Sequence, residues 1–228
     1  MPQRQLVNYC FYKIDPAWRL RSSEQRAADK ADFVGAVEKF ADDMLIRTYT
    51  TVGTRGDADL LIWRATEEPE LLTKATAAIN HTSLAPYLTS PYHYLAMTRR
   101  SMYVTKHVHS GQEGTRTRIR PADAPYLIVY PFVKTRAWYA LSMEERQKMM
   151  DTHIEVGHKY PSVKINTTYS FGLDDQEFVV AFETNSLSDF LDLVMDLRET
   201  AASLYTLRDT PTFTCTRMPI GDALDLIG

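Results

Sequence analysis

The chain is poor in several features that would each define a class of protein. It has only two cysteines among 228 residues, Cys10 and Cys215, and neither stands at metal-ligand spacing. A thiolate metal centre is excluded, and a reduced, cytoplasmic protein is expected. No run of about 18 apolar residues occurs, so no membrane-spanning segment is expected. The first residues, MPQRQLVNYCFYKID, lack the apolar core of a secretory leader. The formal net charge of −3 gives no footprint for nucleic-acid binding. What is present is an ordinary globular composition, 44% hydrophobic and 24% charged, at a length suited to one large or two small domains.

The most informative positive feature is that the chain repeats itself. YCFYKIDPAWRLRSSEQR, from Tyr9, resembles YPFVKTRAWYALSMEER, from Tyr130. Tyr9 matches Tyr130 and Lys13 matches Lys134, each 121 residues apart. Trp18 and Trp138, Ser22 and Ser142, Glu24 and Glu144, and Arg26 and Arg146 are each 120 apart. The slip reads as one extra residue in the first copy's turn. Further on, Gly53 and Gly172 pair at 119, and Pro91 and Pro211 at 120. The domains expected are an N-terminal unit over 1–105, a linker over 106–125 and a C-terminal unit over 126–228.

Each copy has the same order of signals. A strand-like apolar stretch (Leu6 to Ile14; Tyr126 to Val133) precedes a capping box, Ser22 with Gln25 and Ser142 with Glu145. A helix of about four turns follows, then two strands joined by a turn at Arg55-Gly56-Asp57 or Leu173-Asp174-Asp175. A second helix comes next, and a final strand closes the copy (Tyr92 to Thr105; Thr212 to Met218). The order βαββαβ is the ferredoxin-like unit. The expected class is α+β, with two tandem units forming a dimeric α+β barrel and a short helix from Ile220 to Ile227 capping the end.

The copies differ at one place that bears on chemistry. At an offset of 120, His153 stands opposite Phe33 on the first helix of its copy. It shares a helical face with Met149, Met150 and Val156, so its imidazole points at the sheet. Two readings are open: a core histidine donating one hydrogen bond to a carbonyl, or a metal ligand in an apolar cavity. No second ligand lies one turn away, and His158 is off the face. A single inward imidazole therefore suits a porphyrin, which brings four nitrogens, better than a bare ion.

Tyr130 and Lys134 are four apart on a strand and face one side. They make either an amphipathic edge or a redox or acid–base tyrosine beside a carboxylate-steadying cation. Because Tyr9 and Lys13 repeat them, the pair alone does not separate function from inheritance. Arg116, Arg118 and Arg120 alternate in the linker, as a solvated loop or as a clamp for an anionic ligand. His107 and His109 read as loop histidines. The turn Gly172 to Asp175 and the three tryptophans read as structural, and Arg208-Asp209 as an internal ion pair.

With these residues in view, YPFVKTRAWY…MMDTHIEVGHKYP…YSFGLDDQEFVVAFET…LRET…YTLRDTPTFTC resembles the chlorite dismutase family, which includes the coproheme decarboxylases. The likeness is dense from Tyr126 to Gly228 and looser from Leu6 to Arg120. It implies a subunit of a homo-oligomer, usually a pentamer, with an iron porphyrin in the C-terminal half. His153 falls on the proximal iron ligand, Tyr130 on the radical-relay tyrosine of the decarboxylases, and Lys134 on a lysine near a propionate. Arg118, then Arg116, best match the propionate-holding arginine. Two departures stand out. Where chlorite dismutases carry a distal arginine this chain has Ile165, and where they place a glutamate behind the imidazole it has Thr200-Ala201-Ala202. Both disfavour chlorite dismutation. The resemblance thus implies peroxide-dependent oxidative decarboxylation of coproheme to haem b, with hydrogen peroxide as co-substrate. A weak haem peroxidase and a non-enzymatic haem carrier or sensor are the alternatives.

Overall fold

The structure, a computed structural model, describes residues 4–103 and 118–228. Arg116, His107 and His109 lie outside the described residues. In chain order the first elements are β1 (Leu6–Ile14), α1 (Ser23–Glu38), β2 (Leu45–Thr50), β3 (Leu60–Thr66), α2 (Pro69–Asn80) and β4 (Leu88–Met97). There follow β5 (Tyr126–Lys134), α3 (Arg136–Ala140), α4 (Met143–Gly157), β6 (Val163–Tyr169), β7 (Phe178–Thr184) and α5 (Leu187–Arg198). The chain ends with β8 (Thr206–Arg208), β9 (Phe213–Arg217) and α6 (Ile220–Asp225). Two compact units result, Gln3–Ala96 with Phe213–Gly228, and Met97–Thr212. The class is α+β, and both units are ferredoxin-like.

In the first unit the strand order is β4-β1-β3-β2-β9. In the second, β6-β7-β5-β8 pair antiparallel throughout. Both capping boxes form: Ser22 accepts from Gln25 N–H and Ser142 from Glu145 N–H, with the reciprocal bonds present. Each cap stabilises its helix by about 1 kcal/mol. At the β6–β7 turn Gly172 has φ +71, a conformation that favours glycine, and Leu173 and Asp174 donate back to the Ser170 carbonyl. The strand expected to close the second copy, Thr212 to Met218, forms but does not close that copy. Only Thr206–Arg208 pairs with β5, while Phe213–Arg217 pairs with β2 in the first unit. The α6 helix then packs Ile220, Ala223 and Leu224 into the first unit's core, beside Phe33 and Val37 of α1. Asp209 pairs with Arg198 rather than with its neighbour Arg208.

The strand registers correct the repeat. Leu6 pairs with Thr66 and Tyr126 with Thr184, so β1 and β5 correspond at 120, not 121. The following short helices, Pro16–Leu20 and Arg136–Ala140, keep the same offset, so the first copy has no extra residue. Tyr130 therefore corresponds to Cys10, and Lys134 to Ile14. A one-residue shift reverses the face of every strand side chain. Cys10, Tyr12 and Ile14 belong to the helix-side core of the first unit, whereas Tyr9 lies on the other face and stacks on Trp63 at 5.6 Å. The tyrosine–lysine pair on the helix side belongs to the second unit alone.

Candidate functional site

The sheet face that meets the helices can be compared row by row between the units. Asn8–Arg64–Ile46 matches Ile128–Phe182–Ile165. Cys10–Ile62–Thr48 matches Tyr130–Val180–Thr167, and Tyr12–Leu60–Thr50 matches Phe132–Phe178–Tyr169. In the first unit this face is covered: Cys10, Tyr12, Leu60, Ile62 and Thr50 are buried, and Ile46 packs on the core. In the second, Tyr130, Phe132, Phe178 and Tyr169 are only half-buried, Thr167 is exposed, and Ile165 is 49% exposed. The helices differ in the same sense. α1 buries Phe33 and Val37, whereas α4 has no fully buried residue. Covering an apolar sheet is what a helix's apolar stripe normally does. The second unit buries Ile128, Val180 and Phe182 of that face but leaves its β6 edge, at Ile165 and Thr167, open.

His153 is half-buried on α4, and its Nδ1 is buried without a hydrogen-bond partner. The carbonyl bond expected of an ordinary core histidine is thus not made through that atom. Burial, and then the nearby Lys134 charge, push its pKa down to about 4. The imidazole is neutral at pH 7, with a lone pair free for a metal. Among the described residues no three His, Cys, Asp or Glu side chains gather around an ion site.

Lys134 ends β5 on the same face as Tyr130. Its Nζ donates to the Ala202 carbonyl at 2.7 Å and lies 4.6 Å from the Trp138 ring centroid. Burial pulls its pKa down to about 8, opposed by Glu177. The Ala201–Tyr205 turn therefore gives a carbonyl to the lysine and no carboxylate to the imidazole. The Tyr130 ring lies 5.9 Å from that of Phe182. Burial, then Asp209, raise its phenol above the usual range, against the opposing charge of Arg198. Tyr130 is a neutral phenol at any physiological pH.

Sequence reasoning missed Glu177 and Tyr139. Glu177 is buried and accepts from Lys134 N–H at 2.8 Å and from the Tyr139 hydroxyl at 2.5 Å. The first unit holds Asp59 at the matching place, accepting from Ile14 N–H at 2.9 Å. An acid directly before each central strand was the available signal.

A sequence model described as Chlorite dismutase matches residues 26–218. The chain belongs to the chlorite dismutase family. Among its relatives is the coproheme decarboxylase of Mycolicibacterium smegmatis, 31% identical over 199 residues, with 84% of each chain covered. Among solved structures, the chlorite dismutase of Candidatus Nitrospira defluvii in complex with imidazole matches with a TM-score of 0.87 and 26% identity, over 97% of this chain and 94% of that one. A point mutant of the same enzyme matches with a TM-score of 0.88 at 27% identity, over the same shares. No helix among the described residues is long and apolar enough to cross a membrane.

The second unit of this family member thus carries Tyr130 and Ile165 on the helix-side face of its sheet and Lys134 at the end of β5, with His153 on α4 close enough to Lys134 to feel its charge. Arg118 is exposed, in the segment leading into β5.

The two depressed pKa values carry a stability consequence for the porphyrin-free protein. Each group binds its proton less tightly folded than unfolded, so stability is lost as pH falls from the ordinary value to the folded one. For His153 that window runs from 6.5 to about 4. For Lys134 it runs from 10.5 to about 8, so at pH 7 its buried charge already costs stability. Lys134→Met is expected to raise the pH 7 stability of porphyrin-free protein by about 1–3 kcal/mol. Urea unfolding at pH 7 and pH 10 checks this: the gain should shrink at the higher pH, and a destabilised variant at pH 7 contradicts it.

Proposed function

We propose that this chain binds an iron porphyrin on the helix-side sheet face of its second unit, with His153 as the axial ligand, and acts as a coproheme decarboxylase. The observation that carries the proposal is the contrast between the units. Matching rows are sealed in the first unit and partly open along β6 in the second, where α4 carries His153 at the place of the buried Phe33. The residues fit the group: an apolar wall (Ile165, Phe178, Val180), a neutral imidazole with an orphaned buried nitrogen, and cations for carboxylates. His153 would hold the iron. Lys134, with Arg118 and Arg116, would orient the propionates. The iron porphyrin, supplied with hydrogen peroxide, provides the oxidising power for removing propionate carboxyls.

This chain's own residues set the direction of that chemistry. His153 enters as a free base, so no proton has to leave before it ligates. Tyr130 keeps the phenolic proton and electron that a one-electron relay to a propionate must first give up. The desolvated Lys134 ammonium gains from a carboxylate brought against it, which restores its charge preference. Ile165 offers no positive charge to an oxyanion, which disfavours chlorite as substrate.

Incubating the protein with coproheme and hydrogen peroxide, followed by mass spectrometry of the porphyrin, tests this reading. Stepwise loss of two carboxyls, ending at haem b, is the expected result. Unchanged coproheme with turnover of a reducing dye would make the protein a peroxidase. Tight binding without either would make it a carrier. Association into a homo-oligomer is supported by Leu187, Leu191 and Met195, all exposed and one turn apart on α5. Leu191→Lys is expected to lower the mass seen by light scattering.

A further inference from the structure

The inward stripe of α4 carries a second nitrogen that the fold does not use. His153 follows Arg146 by seven residues, nearly two full turns, so both stand on one line, about 10 Å apart along the helix axis. Arg146 is half-buried, and its Nε is buried without a hydrogen-bond partner, as is Nδ1 of His153. Among the described residues no carboxylate forms an ion pair with its guanidinium. The residues one turn away, Ser142, Met143, Met149 and Met150, carry no charge. The adjacent Glu145 carboxylate turns back to the Ser142 N–H and hydroxyl. A desolvated cation without an acceptor costs stability. Its place in the first turn of α4, where the helix dipole is positive, adds to that cost.

The first unit shows what the same arginine does when its work is structural. Arg26, the counterpart of Arg146, donates from Nη1 to the Arg19 carbonyl at 3.2 Å and to the Arg21 carbonyl at 2.7 Å. It thereby ties α1 to the turn that precedes it. The matching carbonyls in the second unit belong to Tyr139 and Leu141. Among the described residues the Arg146 side chain makes neither bond. One arginine is held by the backbone of its own unit, and the other keeps its donors for something else. The change accompanies the replacement of Phe33 by His153 on the same stripe.

We infer that Arg146 is a carboxylate-binding residue of the porphyrin site and takes a propionate of coproheme. The inference rests on the porphyrin reading of the second unit. A porphyrin carries its carboxylates at the rim, away from the metal, so a residue that takes one stands apart from the axial ligand. Two turns along the His153 stripe is such a place. Met149 and Met150, between the two, are half-buried and offer apolar surface to the macrocycle. The planar guanidinium presents Nε and an Nη together to two carboxylate oxygens. The bound carboxylate would satisfy the orphaned Nε and neutralise the charge at once. Because α4 is a regular helix with a closed capping box, Arg146 is carried on a rigid element.

The test is absorbance titration of the full chain with two probes, coproheme and its tetramethyl ester, which lacks the carboxylates. Arg146→Gln is expected to weaken coproheme binding about 10-fold or more, the worth of a charge-assisted contact. The affinity for the ester should not change, and Arg146→Lys should recover part of the loss. Urea unfolding of porphyrin-free protein separates this role from a structural one. Arg26→Gln is expected to lower the unfolding midpoint, since two carbonyl bonds are lost, and Arg146→Gln is not. Equal coproheme affinity in native protein and Arg146→Gln overturns the assignment and leaves the porphyrin reading standing. So does equal weakening toward both probes, or a midpoint that falls as far as in Arg26→Gln. A native chain that binds neither probe overturns the reading and the assignment together.

Discussion

Replacing His153 by phenylalanine is expected to abolish coproheme retention while stabilising the porphyrin-free protein. The first unit shows what phenylalanine does at this place: Phe33 is fully buried and lies edge-on to Tyr12 at 6.3 Å. In the second unit the substitution removes a buried nitrogen without a partner. It also adds apolar area against an apolar face, together worth about 1–3 kcal/mol. Loss of the axial ligand should weaken coproheme binding by at least about 100-fold, since losing a ligand's supporting partner alone can cost that much. Absorbance titration and calorimetric unfolding read the two effects separately. A variant that binds coproheme as the native chain does would remove His153 from the role of ligand.

The second large effect concerns Tyr130. Tyr130→Phe is expected to lower decarboxylation by at least about 100-fold, the low end of what losing a proton-transferring group costs. Coproheme affinity should change little, because the ring and its contact with Phe182 remain. The corrected register strengthens this expectation. A tyrosine shared by both copies could be inherited structure, but the helix-side residue of the first unit is Cys10. Mass spectrometry under single-turnover conditions checks it, and a variant that still yields haem b excludes the relay.

Much of the fold was legible because local chemistry and the repeat agreed. The capping boxes at Ser22 and Ser142, the glycine turn at Gly172 and the inward stripe of α4 are decided within a few residues, and the structure has them all. The strand register was not, because Tyr-x-x-x-Lys recurs one residue out of phase. Register is decided by pairing with the central strand, which places Cys10 opposite Ile62 and Tyr130 opposite Val180. The inward His153 was legible from spacing. The open β6 edge was not, since α6, from the far end of the chain, fills the first unit's core. For the same reason β9 could not be assigned to β2 from its sequence.

The account stands most directly on where the porphyrin sits and what holds its iron. A crystal structure of the full chain soaked with coproheme measures both. The account predicts the porphyrin against Ile165 and Val180 in the second unit, the iron ligated by the imidazole of His153, and a propionate at Lys134. Porphyrin bound elsewhere, or iron held by any other side chain, would contradict it.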